Sequence, residues 1–281
     1  MTLRRAIVVK NFNRILLATE GTEFDVGAER VAIDLAAKCG LPLLAVRPVV
    51  SNPEFEVIAP QLAEKAEAEA VMQLDKLREA AKAHGVELLG AVRRGEEPDQ
   101  EIVAEARERK ADLIVLRRRG KRGFVANRLI GAMVHTVIGH APCDVLIVPR
   151  MAQMWSRRIL VASDGSSHGD RAVEIAASVA TRCGLPVTVV SVLAHPQEDK
   201  ASASANVERA LAALQGAGVQ GTGRIASGRL HEVILGVVRE VQADLIVLGR
   251  RGMGGVERLL LGSTAERVAG HADCPVLIVH A

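Results

Sequence analysis

Aromatic residues are almost missing from this sequence: 281 residues include no Tyr, one Trp and four Phe. A core made from such a chain must use Val, Ile, Leu and Ala, a composition that suits parallel strands covered by helices on both faces. Proteins that bind single-stranded nucleic acid by base stacking need aromatic side chains. The scarcity of these side chains therefore argues against a nucleic-acid partner.

Charge of one sign is not in large excess either, because the formal net charge is only +3. The four cysteines form no C-x-x-C pair, so the sequence indicates no zinc or redox motif. The first 14 residues contain an apolar run of only four, residues 6–9, which is too short for a secretory signal or a membrane span. We therefore expect a cytoplasmic protein with no membrane partner.

The chain carries one sequence pattern twice. Residues 14–21 (RILLATEG) match residues 158–165 (RILVASDG), and the stretch ADLIVL occurs at residues 111–116 and again at 243–248. The early matches lie 144 positions apart (159 against 15) and the last ones 131 apart (274 against 143). The pattern therefore predicts two copies of one module, of which the first is about a dozen residues longer.

Each copy has the length of an ordinary domain. We predict a first domain at residues 1–149, of which 1–13 are an N-terminal extension, and a second domain at residues 157–281. The extra length of the first copy lies in an Ala-, Glu- and Lys-rich stretch, residues 60–84, whose composition is typical of a long helix. The linker between the two domains is short.

Short apolar runs alternate with helical patterns in the second copy. The runs predict strands at residues 158–162, 187–193, 220–226, 244–248 and 276–279. This alternation predicts an α/β fold made of two doubly wound domains, each with a five-stranded parallel sheet. Ligands of such sheets bind beyond the carboxyl ends of the strands, where the strand order reverses.

A glycine-bearing loop follows the predicted fourth strand of the second copy. Gly249 and Gly252 permit close backbone approach, and Gly262 stands before a predicted helix whose free N–H groups and dipole favour an anion. The hydroxyl groups of Ser263 and Thr264 add hydrogen-bond donors at this point. An alternative is that Ser263 is only the helix cap, since Ser263 and Glu266 fit the S-x-x-E capping box.

The spacing of this loop resembles the signature of the universal stress protein family, G-x2-G-x9-G-[ST], with Gly249, Gly252, Gly262 and Ser263 at its fixed positions. Residues 159–166 (ILVASDGS) and 272–279 (ADCPVLIV) also resemble the family's opening and closing segments. The resemblance covers nearly the whole chain, once in each copy. It implies a tandem member with Rossmann-like, adenine-nucleotide-binding domains.

The resemblance also implies a site. In ATP-binding members the carboxylate after the first strand lies near the ribose and phosphates, and Asp164 matches it, although Asp164 also suits a plain turn. The residues so implied to bind ATP are Ala162, Ser163, Asp164, Val192, Leu248, Gly249, Gly252, Gly262, Ser263 and Thr264. Mg²⁺ or Mn²⁺ is implied to bind through the phosphates rather than through protein ligands.

Family members commonly dimerise through the last strand of their sheet. The resemblance therefore implies that residues 145–148 and 276–279 pair within one chain as an internal pseudo-dimer. Such pairing would bury two sheet edges. Two chains could associate further into a homodimer.

The first copy departs from the signature at several positions. Arg117 replaces the first glycine, Ala132 replaces the hydroxyl residue, and Glu20 replaces the aspartate. We predict that this copy does not bind ATP in the manner of the family. A cluster of cations, Arg117, Arg118, Arg119, Lys121 and Arg122, either captures another anion or an acidic partner, or is a solvated face.

The favoured function is an ATP-binding stress-response protein in which the nucleotide acts as a regulatory ligand for an unidentified protein partner. No residue stands out as a base for attack on a phosphate, so we expect no catalytic residue and no fast hydrolysis. The alternatives are an interaction scaffold without nucleotide, and a slow ATPase or phosphotransfer enzyme. The histidines form no metal pattern; His168 and His231 are further candidates for ligand contact, whereas His140 and His271 are expected to be structural.

Overall fold

The computed structural model describes residues 12–118, 130–194, 200–252 and 261–280. Contacts within the chain divide it into two compact parts, residues 12–154 and 155–280, which we call the first unit and the second unit. Most of the predicted N-terminal extension, residues 1–11, lies outside the described residues. No helix in the described ranges is long and apolar enough to cross a lipid bilayer.

The first unit is a parallel sheet with helices. Its strands are β1 (Ile15–Ala18), β2 (Leu43–Val50), β3 (Leu88–Gly95), β4 (Leu113–Arg117) and β5 (Asp144–Val148). Its helices are α1 (Val26–Cys39), α2 (Pro53–Ile58), α3 (Pro60–Ala83), α4 (Pro98–Glu108) and α5 (Ala132–His140). The strand order is β3-β2-β1-β4-β5, and every pair described within it is parallel.

The second unit repeats this plan. Its strands are β6 (Ile159–Ala162), β7 (Val187–Leu193), β8 (Gly221–Ser227), β9 (Leu245–Gly249) and β10 (Val276–Val279). Its helices are α6 (Ser167–Cys183), α7 (Lys200–Gly216), α8 (Leu230–Glu240) and α9 (Ser263–His271). The order β8-β7-β6-β9-β10 is again parallel in each pair. The predicted fold class, two doubly wound five-stranded parallel-sheet domains, is confirmed.

The central strands are buried runs of aliphatic residues. All four residues of β1 and all five of β4 are buried, as is every residue of β10. These strands lie between two layers of helices, so side chains on both of their faces leave water. Aliphatic side chains make up nearly all of the described core, as the composition predicts, and Phe12 and Trp155 are the aromatic residues buried in it.

Repeated local signals set the ends of the elements. Gly40 and Gly184 end α1 and α6 with left-handed backbone, at φ values of 64° and 65°, a conformation that glycine adopts at little cost. The carboxylate of Asp112 accepts hydrogen bonds from the backbone N–H groups of Asn13 and Arg14 before β1. Asp244 binds the segment before β6 in the same way.

The extra length of the first copy differs from the prediction in one respect. The long helix is present as α3, which has 24 residues against 17 in α7. A separate six-residue helix, α2, precedes it. The reason for the break is Pro60 at the first position of α3, where its fixed φ and missing N–H suit a helix start but not a helix interior.

Candidate functional site

A cleft of about 330 Å³ opens in the second unit beyond the carboxyl ends of β6, β7 and β9. The strand order reverses at this point, because β7 lies on one side of β6 and β9 lies on the other. Ligands of doubly wound sheets usually bind at such a point. All of the residues implied by the family resemblance line it, namely Ala162, Ser163, Asp164, Val192, Leu248, Gly249, Gly252, Gly262, Ser263 and Thr264. Their contact with a nucleotide stays a prediction.

The cleft also contains residues that the sequence did not point to: Gly169, Val190, Leu230, Ile234, Arg250, Arg251 and Ala265. Leu230 and Ile234 lie one helical turn apart on α8. Their spacing marks an apolar helix face, but nothing in the sequence says that this face borders the cleft. Arg250 and Arg251 lie inside the glycine signature at its variable positions, where the pattern itself carries no information.

The turn between β6 and α6 holds Asp164 in a fixed position. One carboxylate oxygen, Oδ1, accepts a hydrogen bond from the N–H of Ser166 at 3.0 Å, and the side chain of Asn206 donates to the Asp164 carbonyl at 3.0 Å. A Cβ placed on Gly252 would lie 2.5 Å from Oδ2 of Asp164. Asp164 therefore both forms the turn and presents a carboxylate to the glycine loop.

The first two glycines of the loop serve packing. A Cβ on Gly249 would lie 2.7 Å from the backbone oxygen of His168, at the start of α6. Glycine at this position therefore lets the end of β9 pass close to the helix. The absence of a side chain at Gly252 leaves room for Asp164, as described above.

The start of α9 contradicts the alternative in which Ser263 caps the helix. The carbonyl of Gly262 accepts the first helical hydrogen bond, from the N–H of Glu266 at 3.0 Å, so Gly262 is the N-cap residue. Within the part of the chain that the structure describes, no side chain forms a capping hydrogen bond at the start of this helix. Ser263 and Thr264 are instead its first two residues, in the turn whose N–H groups have no acceptor within the helix, and both border the cleft.

Positive charge surrounds the loop. Burial and the neighbouring charge of Arg251 lower the pKa of Arg250. Burial, followed by the charges of Arg250 and Arg251, lowers the pKa of His168, whereas Asp164 acts in the opposite direction. An anion in the cleft would offset this positive potential.

The corresponding place in the first unit is filled by the protein's own side chains. Arg117, at the position of Gly249, donates to Asp25 at 3.0 Å and to the hydroxyl oxygen of Thr22 at 3.0 Å, and it contacts Glu20 at 2.7 Å. The side chains of Arg117 and Asp25 are 9% and 1% exposed. The space left between these residues is about 10 Å³.

The cation cluster predicted in the first copy falls mostly outside the described residues, since Arg119, Lys121 and Arg122 belong to residues 119–129. Arg117 belongs to the cluster in sequence but forms ion pairs with Glu20 and Asp25. Its charge is therefore already compensated. Capture of an anion by the remaining cations stays a prediction.

The other candidates have structural partners. His140 and His271 each place Nδ1 near the backbone oxygen of the residue four positions earlier, at 2.9 and 2.7 Å. His168 and His231 are not among the described residues that line the cleft, although their chain neighbours Gly169 and Leu230 are. Burial raises the pKa of Cys274 to about 12, which disfavours a reactive thiolate.

Comparisons with known proteins agree with this arrangement. A model of the Universal stress protein family matches the chain twice, at residues 11–149 and 156–280. A universal stress protein of Synechocystis is 28% identical over 166 residues, which are 59% of this chain and 57% of that protein. One from Thermus aquaticus is 36% identical over 135 residues, 44% of this chain and 98% of its own length.

The likeness extends to the fold of the whole chain. The crystal structure of a universal stress protein from Archaeoglobus fulgidus matches with a TM-score of 0.75, at 24% identity, over 95% of this chain and 96% of its own. Two matches to the family model, together with two parallel-sheet units of the same strand order, give one conclusion. The chain belongs to the Universal stress protein family, as a tandem member that carries the family's domain twice.

Proposed function

We propose that this stress-response protein binds ATP in the cleft of its second unit and uses the nucleotide as a regulatory ligand. The observation that carries the proposal is one cleft with two chemically different ends. Aliphatic side chains from β7, β9 and α8 form one end, and the glycine loop with the start of α9 forms the other. A nucleotide has the same division between its base and its phosphates.

The base would lie against the aliphatic end. Val190 and Val192 from β7, Leu248 from β9, and Leu230 and Ile234 from α8 supply its walls. Apolar walls of this kind suit the adenine ring. The ribose would then lie beside Asp164.

The phosphates would lie at the start of α9. The N–H groups of its first turn, the hydroxyl groups of Ser263 and Thr264, and the positive end of the helix dipole all favour negative charge there. Asp164 is the one carboxylate among the described residues that line the cleft. Mg²⁺ or Mn²⁺ would therefore be held mainly by the phosphates, with Asp164 as the carboxylate that would assist, and would neutralise part of the phosphate charge.

A regulatory role fits these residues better than rapid catalysis. The described cleft-lining residues include neither a histidine nor a lysine, and Oδ1 of Asp164 already accepts a hydrogen bond from Ser166. Asp164 is thus the one candidate general base in the described cleft lining, and one of its two carboxylate oxygens is already used by the turn. The alternatives are a scaffold role without nucleotide, which the titration below tests, and slow hydrolysis, which a measurement of phosphate release from ATP over hours tests.

Equilibrium titration of the full chain with ATP tests the proposal. Binding is expected in the wild type and is expected to be lost in Gly262→Val, because even a Cβ at this position would lie 3.3 Å from the carbonyl oxygen of Arg250. The matched control is Gly131→Val, at the equivalent position of the first unit, which should bind ATP as the wild type does. No binding to the wild type, or equal binding by Gly262→Val, would contradict the proposal.

A further inference from the structure

The proposed phosphate end of the cleft contains two arginines in addition to its glycines and hydroxyl groups. Arg250 and Arg251 both line the cleft, and they are the cationic residues among its described lining. Neither belongs to the fixed positions of the glycine signature. Their role is a separate question from that of the glycines and of Ser263.

The backbone of Arg250 is fixed on both sides. Its N–H donates to the carbonyl of Val279 at 3.1 Å, and its carbonyl accepts from the N–H of Gly262 at 2.9 Å. The second of these bonds joins the residue directly to the start of α9. Arg250 therefore extends from a backbone that is held next to the helix N-terminus where the phosphates would lie, and Arg251 follows it directly in the chain.

The charges of the lining residues point to a multiply charged ligand. Asp164 contributes one negative charge and the two guanidinium groups contribute two positive ones, in addition to the helix dipole. The lowered pKa of Arg250 has burial and Arg251 as its causes, so the two cations lie near each other in a partly desolvated place. Such a pair is stabilised most by a ligand of high negative charge, and a chain of phosphates carries more negative charge than a single phosphate.

We infer that Arg250 and Arg251 recognise the charge of the phosphate chain and make the cleft select nucleoside di- and triphosphates over nucleoside monophosphates and nucleosides. This inference rests on the proposed function. Guanidinium groups suit the task because they bind phosphate oxygens in pairs through a planar set of donors. The glycine loop and α9 would bind the phosphate nearest the ribose, and the arginines would reach those beyond it.

The first unit supplies the internal comparison. Arg118 stands at the position equivalent to Arg250, next to the filled site of Arg117, Glu20 and Asp25. Arg118→Gln is therefore a control. It makes the same chemical change as Arg250→Gln, but in the first unit, where the corresponding site is filled. Arg224→Gln makes it on the surface of the second unit, at a side chain 53% exposed that pairs with Glu240.

The test measures dissociation constants of ATP, ADP, AMP and adenosine for the wild type, Arg250→Gln, Arg251→Gln and the two controls. Each cleft variant is expected to lose roughly tenfold or more in ATP affinity, as for a charged hydrogen bond, less in AMP affinity, and nothing for adenosine. The controls should retain the wild-type order. Fluorescence of Trp155, buried in the second unit, reports whether that unit is folded in each variant, and denaturant unfolding of the full chain reports on the first unit of Arg118→Gln.

The outcomes separate this inference from the proposed function. If the wild type binds ATP and the arginine variants keep the same ratio of ATP to AMP affinity, the inference is wrong and ATP binding stands. If a variant weakens all four ligands equally, the arginine is structural, which also overturns the inference. If the wild type binds no adenine nucleotide, both fail. Partial recovery of the ratio by Arg251→Lys would support recognition by charge.

Discussion

The guanidinium of Arg117 and the carboxylate of Asp25 form a buried ion pair at 3.0 Å in the place where the second unit has its open cleft. Both residues replace glycines, since Arg117 stands at the position of Gly249 and Asp25 at that of Gly169. α1 has 14 residues where α6 has 17, because it begins only after Asp25. The two replacements together turn a ligand site into part of the core.

Removal of Arg117 tests how much this ion pair stabilises the first unit. Arg117→Met is expected to lower the free energy of unfolding by about 3 kcal/mol, because it leaves the buried charge of Asp25 without its cation. Denaturant unfolding of the full chain measures this change. The double variant Arg117→Met, Asp25→Leu should be more stable than the single one, since no uncompensated charge remains.

The control for that experiment is an exposed ion pair. Arg224→Met removes the partner of Glu240, whose side chain is 62% exposed, and exposed pairs contribute at most about 1 kcal/mol. If Arg117→Met is no more destabilising than Arg224→Met, the filled site of the first unit does not contribute to its stability.

The carboxyl group of Glu29 predicts a dependence of stability on pH. Burial raises the pKa of Glu29, the hydrogen bond donated by Thr19 at 2.7 Å lowers it, and the charge of Asp25 raises it. Because the folded pKa lies above the unfolded one, the folded state binds more protons, and stability falls as pH rises from the unfolded to the folded pKa. Above that window the cost of the buried charge is constant.

Glu29→Gln is therefore expected to stabilise the protein at pH 7 and to have little effect below the ordinary pKa of a glutamate, where the wild type is protonated in both states. The amide oxygen of Gln can still accept from Thr19, so the substitution removes only the charge. Unfolding curves at several pH values check this expectation. A difference between the two proteins that does not change with pH would contradict it.

Gly249 lies so close to α6 that even the methyl group of alanine at this position is expected to destabilise the protein. Gly249→Ala would place a Cβ 2.7 Å from the backbone oxygen of His168, so the helix must shift, and we expect destabilisation of about 1–3 kcal/mol. Gly236→Ala is the matched control, because a Cβ on this residue of α8 meets nothing within 4 Å. It should stabilise by up to about 1 kcal/mol through helix propensity. Loss of stability in both variants would refute the packing argument.

A side chain at Gly252, in contrast, is expected to change ATP binding and to change the stability of the protein little. A Cβ added at this residue would meet the carboxylate of Asp164 at 2.5 Å, and a side chain can move aside at lower cost than backbone. Gly252→Ala should therefore displace Asp164 and weaken ATP binding by roughly tenfold, the effect of one lost charged hydrogen bond. Calorimetric titration and thermal unfolding check the two halves of this expectation. Unchanged ATP affinity would show that the position of Asp164 is not needed.

Local sequence signals predicted most of the second unit. The bounds of β7 and β10 coincide with the predicted strands at 187–193 and 276–279, because these are short apolar runs flanked by turn residues. The helix predicted at 207–216 is longer, since α7 begins at Lys200. Its first seven residues are mostly Ala and Ser with few buried side chains, so they carry no apolar period.

The residues of the candidate site also fall into those that the sequence predicted and those that it did not. The positions of the loop glycines, Ser263 and Asp164 follow from spacing along the chain, which the family resemblance interprets. The lining of the cleft by Leu230 and Ile234 depends on how α8 packs, and the pairing of Arg117 with Asp25 joins residues 92 positions apart. The sequence does contain one signal for that pairing. When the two copies are aligned, Gly169 of the second copy corresponds to an acidic residue, Asp25, in the first.

The number of ATP molecules bound per chain tests the central claim most directly. Native mass spectrometry of the full chain with excess ATP and Mg²⁺ should show one nucleotide, and none in Gly262→Val, because the described residues of the second unit form an open cleft whereas Arg117 fills the corresponding place in the first. Two nucleotides per chain would contradict the claim that Arg117 fills the first site. No bound nucleotide in the wild type would contradict the function assigned to the second.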